Sequence, residues 1–86
     1  MTPPYAFVAD DTALEFFASR SKREREDLLR IFKSLTDSPF QKGDLRQKTK
    51  SGRELDVKRF GKWLITYWLD DPVLEIRIVD VKKIVP

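Results

Sequence analysis

Eighty-six residues, 41% apolar and 36% charged, carry a formal net charge of +3 and contain neither cysteine nor histidine. One domain fits that length, with a modest core whose stability a partner would increase. The missing cysteines exclude disulfides and thiolate metal sites, and the missing histidines exclude a His-dependent triad and an ordinary zinc centre; no metal and no cofactor is expected.

The opening MTPPYAFVADD lacks a basic start followed by an apolar run, so it does not read as a signal peptide. No apolar run approaches the roughly 20 residues that span a bilayer. The expected setting is the cytoplasm, away from membranes. Pro3-Pro4 lead into a short extended run, Tyr5 to Ala9, a first strand with Tyr5, Phe7 and Ala9 on one face. Asp10-Asp11 stop it. Thr12 and Glu15 have capping-box spacing and open a short helix to about Ala18, with Leu14 and Phe17 as its buried stripe and Phe16 flanking. Ser21 and Glu24 repeat the spacing and open a longer helix, where Leu28, Ile31, Phe32 and Leu35 form one apolar stripe. Glu26 and Arg30 are spaced for an exposed ion pair. The charged front of this helix, KRERED, reads as a solvated turn or as a partner surface. Pro39 ends the helix.

Phe40 to Ser51 has no regular period and reads as a basic loop, with a strand turn at Leu45–Lys48. From Gln41 to Lys62 stand eight basic residues and three acids, a local balance of +5, while the remainder carries nine basic and eleven acidic residues. Two readings stand: a footprint for a polyanion, or a loop kept soluble by its cations.

Gly52 to Asp71, GRELDVKRFGKWLITYWLDD, holds the strongest strand signal. Leu55 and Val57 alternate with Glu54, Asp56 and Lys58, and Phe60-Gly61-Lys62 supplies a turn. Trp63 to Leu69 is apolar on both sides, as a central strand is. Trp63, Ile65, Tyr67 and Leu69 are expected on the core face. After the Asp70-Asp71-Pro72 turn, Val73 to Val81 gives a last strand with Leu74, Ile76 and Ile78 inward, followed by a short tail from Lys82 to Pro86. The order βααβββ predicts an α+β fold, an antiparallel sheet with two helices packed on one face. The open face is expected to hold Glu54, Asp56, Lys58, Phe60, Leu64, Thr66, Trp68, Arg77, Val79 and Val81. Large apolar groups there call for a covering partner or for shielding by the chain's own loop and tail.

GRELDVKRFGKWLITYWLDD and EIRIVDVKK, in this element order, resemble the RelE/ParE superfamily, the toxins of type II toxin–antitoxin modules associated with plasmid stabilisation. Trp63 to Asp71 is similar to the family's aromatic central strand with its Tyr and acidic turn, and Ile76 to Val81 to its closing strand. The resemblance covers nearly the whole chain and rests on strand and turn patterns. It implies a cytoplasmic toxin bound by a cognate antitoxin protein. One branch cleaves mRNA on the ribosome with basic residues of the open face; another poisons DNA gyrase. The usual catalytic basic residues are missing: Glu54 and Asp56 stand on the first hairpin strand, Leu64 early in the next, and Asp80 and Val81 near the end.

The resemblance thus carries over the fold and the toxin class without a catalytic set: it implies inhibition of translation by ribosome-associated mRNA cleavage or binding, with a non-enzymatic gyrase-directed toxin or a catalytically decayed antitoxin-binding homologue as the alternative. Lys58, Arg77, Glu54 and Asp56 are the catalytic candidates, with cross-strand ion pairing as the competing reading. Lys42, Arg46, Lys48, Lys50, Arg53 and Lys62 are the candidates for holding RNA or the ribosome, and Leu64 and Trp68 for the antitoxin.

Overall fold

The computed structural model describes residues 5–85. The Pro3-Pro4 lead-in and Pro86 lie outside them. Strand β1 (Ala6–Ala9) is followed by helices α1 (Asp11–Ala18) and α2 (Lys22–Asp37). Four further strands follow, β2 (Leu45–Lys48), β3 (Glu54–Phe60), β4 (Trp63–Asp70) and β5 (Glu75–Lys83), with one 3-10 turn at Asp71–Val73. They form a single sheet in the order β1-β5-β4-β3-β2. The α+β class and the two helices on one face stand as expected, and the Leu45–Lys48 segment is a full strand. The sheet is mixed, however. β1 runs parallel to β5, while every other neighbouring pair is antiparallel. The two-helix crossover after β1 carries the chain to the far side of the sheet, and the meander back leaves β5 pointing the same way as β1.

Ser21 caps α2, its Oγ accepting from the Glu24 N–H at 3.2 Å. At α1 the capping box is not used. That helix begins at Asp11, with Asp10 as its cap residue and no side-chain cap bond. Starting earlier turns Ala13 into the core and leaves Leu14 52% exposed, against the expectation for Leu14. On α2, Leu28, Phe32 and Leu35 are buried and Ile31 is half-buried. Arg30 pairs with Asp27 at 3.2 Å, in place of Glu26. These side chains close over Trp63, Ile65, Tyr67, Ile76, Ile78 and Val81 of the sheet. Phe16 meets Trp63 edge-on at 6.0 Å, and Phe7 lies 5.4 Å from Phe32.

Two local features set the faces of the sheet, and both differ from expectation. The β3–β4 turn has two residues, Gly61 and Lys62, with Phe60 opposite Trp63. Gly61 takes φ +61 at the first turn position, as hairpin turns of the primed types require. A three-residue turn would have put Arg59 there. Residues paired across a sheet share a face, and a shift of one exchanges all of them. Asp56, Lys58 and Phe60 therefore lie on the helix side with Tyr67, Ile65 and Trp63, and Glu54 shares that side. Leu55, Val57 and Arg59 take the open face.

The second feature is a bulge in β5. Thr66 pairs with Asp80 and Tyr67 with Ile78, which leaves Val79 as the extra residue. The phase changes there. Val81, expected on the open face, is 1% exposed in the core, and Asp80 and Lys82 take its place outside. Leu74, expected inward in the strand, precedes it in a left-handed conformation with φ 56.

Candidate functional site

The helix-free face of the sheet centres on β4. Leu64, Thr66 and Trp68 point outward and are half-buried. Across β3 stand Leu55, Val57 and Arg59; across β5 stand Arg77 beside Trp68, Asp80 beside Thr66 and Lys82 beside Leu64. Trp68 is not bare. The Arg53 guanidinium carbon lies 3.7 Å from its ring centre, close enough for van der Waals contact and a favourable charge–quadrupole interaction. Leu64 and Trp68 thus occupy the face on which an antitoxin contact was expected.

The four catalytic candidates are not brought together. Arg77 is on the open face, with Nη1 3.3 Å from Glu75 and Nη2 3.4 Å from Asp10. Glu54, Asp56 and Lys58 are on the opposite side of the sheet. Asp56 accepts from the Gly43 N–H at 3.0 Å and from Arg46 Nε at 3.3 Å. Glu54 pairs with Arg46, and Lys58 donates to Gln41 Oε1 at 2.6 Å. These groups fasten the 39–44 segment and β2 to β3. Tyr67 is buried nearby, its hydroxyl 3.4 Å from the Gln41 carbonyl oxygen. Burial first, then the carboxylates of Asp56 and Asp44, push its pKa up to about 12.

The cationic segment winds round the β2–β3 edge and forms no single patch. Arg46 and Lys48 pair across to Asp56 and Glu54 and so share the helix side. Lys42 and Lys50 are exposed in the connections before β2 and before β3. Lys62 leaves the hairpin turn toward α2, where its Nζ lies 3.3 Å from Glu24; Lys83 lies 3.0 Å from the same carboxylate. Of the six, Arg53 alone stacks on an open-face residue. Lys82 on that face pairs with Asp80 at 3.8 Å. Arg53 and Arg59 are in no ion pair among the described residues. Arg59 was not singled out from the sequence, because its face depends on the length of the turn that follows it.

The sequence matches no family model and no curated protein. The fold does have relatives among solved structures. A chain of the RelBE2 toxin–antitoxin complex of Mycobacterium tuberculosis superposes with TM-score 0.76 at 18% identity, over 94% of this chain and 99% of that one. The isolated Escherichia coli RelE toxin superposes with TM-score 0.71 at 17% identity, over 95% and 86%. The RelE–RelB complex of Pyrococcus horikoshii gives 0.70 at 15%, over 94% and 96%. This chain has the RelE fold. Among the described residues, no helix is long and apolar enough to cross a membrane.

Proposed function

We propose that this chain is the toxin of a type II toxin–antitoxin pair, acting on translation in the cytoplasm and neutralised by a cognate antitoxin that covers the open face at Leu64 and Trp68. The observation that carries this reading is the RelE fold along 94–95% of the chain, with one sheet face left uncovered by its own helices. The RelE structures of similar fold favour translation over gyrase as the target. The mode of action is RNA binding. Glu54, Asp56 and Lys58 are turned away from Arg77 and occupied in holding β2 and its loop, so the four residues considered for acid–base work on an RNA backbone form no couple on the open face. Arg53 supplies the contact on the open face, and the exposed Lys42, Lys48 and Lys50 around the β2–β3 edge add positive charge that positions the polyanion without reading its sequence, whereas Arg46 and Lys62 are engaged by Glu54, Asp56 and Glu24.

The test is induction of the chain without an antitoxin, followed by growth, labelled-amino-acid incorporation and mapping of transcript 5′ ends. Growth arrest with falling incorporation and unbroken messages is the expected result. New 5′ ends would replace binding with cleavage. Arrest with a DNA-damage response and normal incorporation would point to gyrase, and unimpeded growth would remove the toxin reading.

A further inference from the structure

Trp68 and Arg53 form a composite feature on the open face that a fold comparison does not assign. The Arg53 guanidinium rests 3.7 Å above the indole. Its backbone is pinned on both sides: the Arg53 N–H donates to Thr49 Oγ1 at 3.1 Å, and its carbonyl accepts from the Thr49 N–H at 2.9 Å. The side chain itself is exposed and in no ion pair among the described residues. The guanidinium is thus set over the Trp68 ring on a side chain that is otherwise exposed.

We propose that Trp68 and Arg53 together form a stacking platform for an unpaired RNA base, the base lying on the outer face of the guanidinium. Planar guanidinium groups and aromatic rings are the two surfaces on which splayed-out bases stack in single-stranded recognition. Trp68 holds the guanidinium in place in advance, so less side-chain freedom remains to be lost on binding. Arg59 stands on the open face of β3, six residues on from Arg53. At about 3.3 Å per residue it lies about 20 Å away, a span of a few nucleotides. It gives the backbone a second cation with no carboxylate partner among the described residues. Leu55 and Leu64, both half-buried, line the path between them. The inference rests on the RNA-directed reading above and specifies its substrate as single-stranded RNA held by its bases as well as its phosphates. A protein partner with an acidic segment would use Arg53 for its charge alone, and that difference separates the two.

The experiment is fluorescence anisotropy of the full chain with a labelled octamer of adenosine ribonucleotides, the same octamer with every base removed, and an acidic peptide, each at several salt concentrations. Arg53→Lys keeps the charge and removes the plane; Trp68→Leu removes the support. The expected result is a loss of about tenfold in affinity for the octamer with either variant. In Arg53→Lys the slope of log affinity against log salt stays that of the parent, because the phosphate contact is kept. The abasic octamer binds the parent and Arg53→Lys equally, and weaker than the parent binds the octamer. Parent-like binding of the octamer by Arg53→Lys, or equal affinity of the parent for both octamers, overturns the platform while leaving RNA binding in place. Failure of the parent to bind either octamer, with or without binding of the peptide, overturns the platform and the RNA reading together. Arg53 is exposed, so its substitution tests the inference even where Trp68→Leu folds poorly.

Discussion

Phe60 stands directly opposite Trp63 across the β3–β4 hairpin, and this pairing decides which chemistry each side of the sheet carries. It exists because the turn has two residues and Gly61 adopts φ +61. A Cβ at Gly61 would meet nothing within 4 Å. The cost of replacing it is therefore conformational and not steric. Gly61→Val is expected to destabilise the domain by about 1–2 kcal/mol, the penalty of a left-handed backbone for an ordinary residue. Gly61→Asn is expected to cost a few tenths, since Asn tolerates that region. Urea denaturation of the two variants checks this; equal losses would place the effect elsewhere than in φ.

The same turn marks how far the sequence was legible. Periodicity gave α2, its Ser21 cap and the buried side of β4 correctly, because a run of six or more residues averages over local detail. The face of β3 was not recoverable from alternation. Glu54-Leu-Asp-Val-Lys alternates equally well in either register, and polar residues on the helix side are tolerated because helices α1 and α2 pack over β1 and β5 and leave that end of β3 to a loop. The Val79 bulge left no signal in EIRIVDVKK, where apolar residues fit both phases. The candidate site inherited these two errors. Leu64 and Trp68 kept their face because β4 carries its own strong pattern, while Glu54, Asp56, Lys58 and Val81 exchanged theirs.

Gly43 is fixed by close approach instead of by backbone angle. A Cβ there would sit 2.8 Å from both the nitrogen and the oxygen of Val57. The neighbouring bonds, Asp44 N–H to the Val57 carbonyl at 2.8 Å and Arg59 N–H to Asp44 Oδ2 at 2.9 Å, hold this segment on β3. Gly43→Ala is expected to cost about 1–3 kcal/mol, as overpacking against backbone does. It should also speed hydrogen exchange at the Arg59 amide. Unchanged exchange there would show that the segment does not depend on the missing side chain.

Glu24 joins α2 to the hairpin turn and to the end of β5. The Lys83 ammonium first, and then Lys62, hold its carboxyl below the ordinary value of 4.5, against an opposing effect of partial burial. A carboxylate whose folded pKa is depressed stabilises the fold above its unfolded value, and that contribution disappears as pH falls through the folded one. The parent is therefore expected to be more stable than Glu24→Gln at neutral pH, with the gap closing as the pH drops below 4.5. Denaturant midpoints of both proteins from pH 7 to pH 2 measure it. A gap independent of pH would mean that shape, and not charge, is what Glu24 contributes.

Trp68 is the residue at which folding and partner binding are most separable. Its ring is half-buried, covered on one side by Arg53 and bordered across the strand by Arg77. It contributes nothing to the buried cluster between sheet and helices. Truncation should therefore cost the free domain about 1–2 kcal/mol, well under the roughly 3–5 kcal/mol of a fully enclosed aromatic. A Trp at the centre of a covered face is also the residue type that dominates interface energies. Trp68→Ala is expected to weaken antitoxin affinity about a hundredfold, equivalent to about 2.7 kcal/mol. Because the same ring supports Arg53, a bound antitoxin and an RNA base would compete for it, so saturating antitoxin should abolish octamer binding. Calorimetry of the antitoxin complex beside denaturation of the free variant makes the comparison. Equal losses in the two measurements would move Trp68 from the interface to the core, and undiminished octamer binding in the complex would separate the two surfaces.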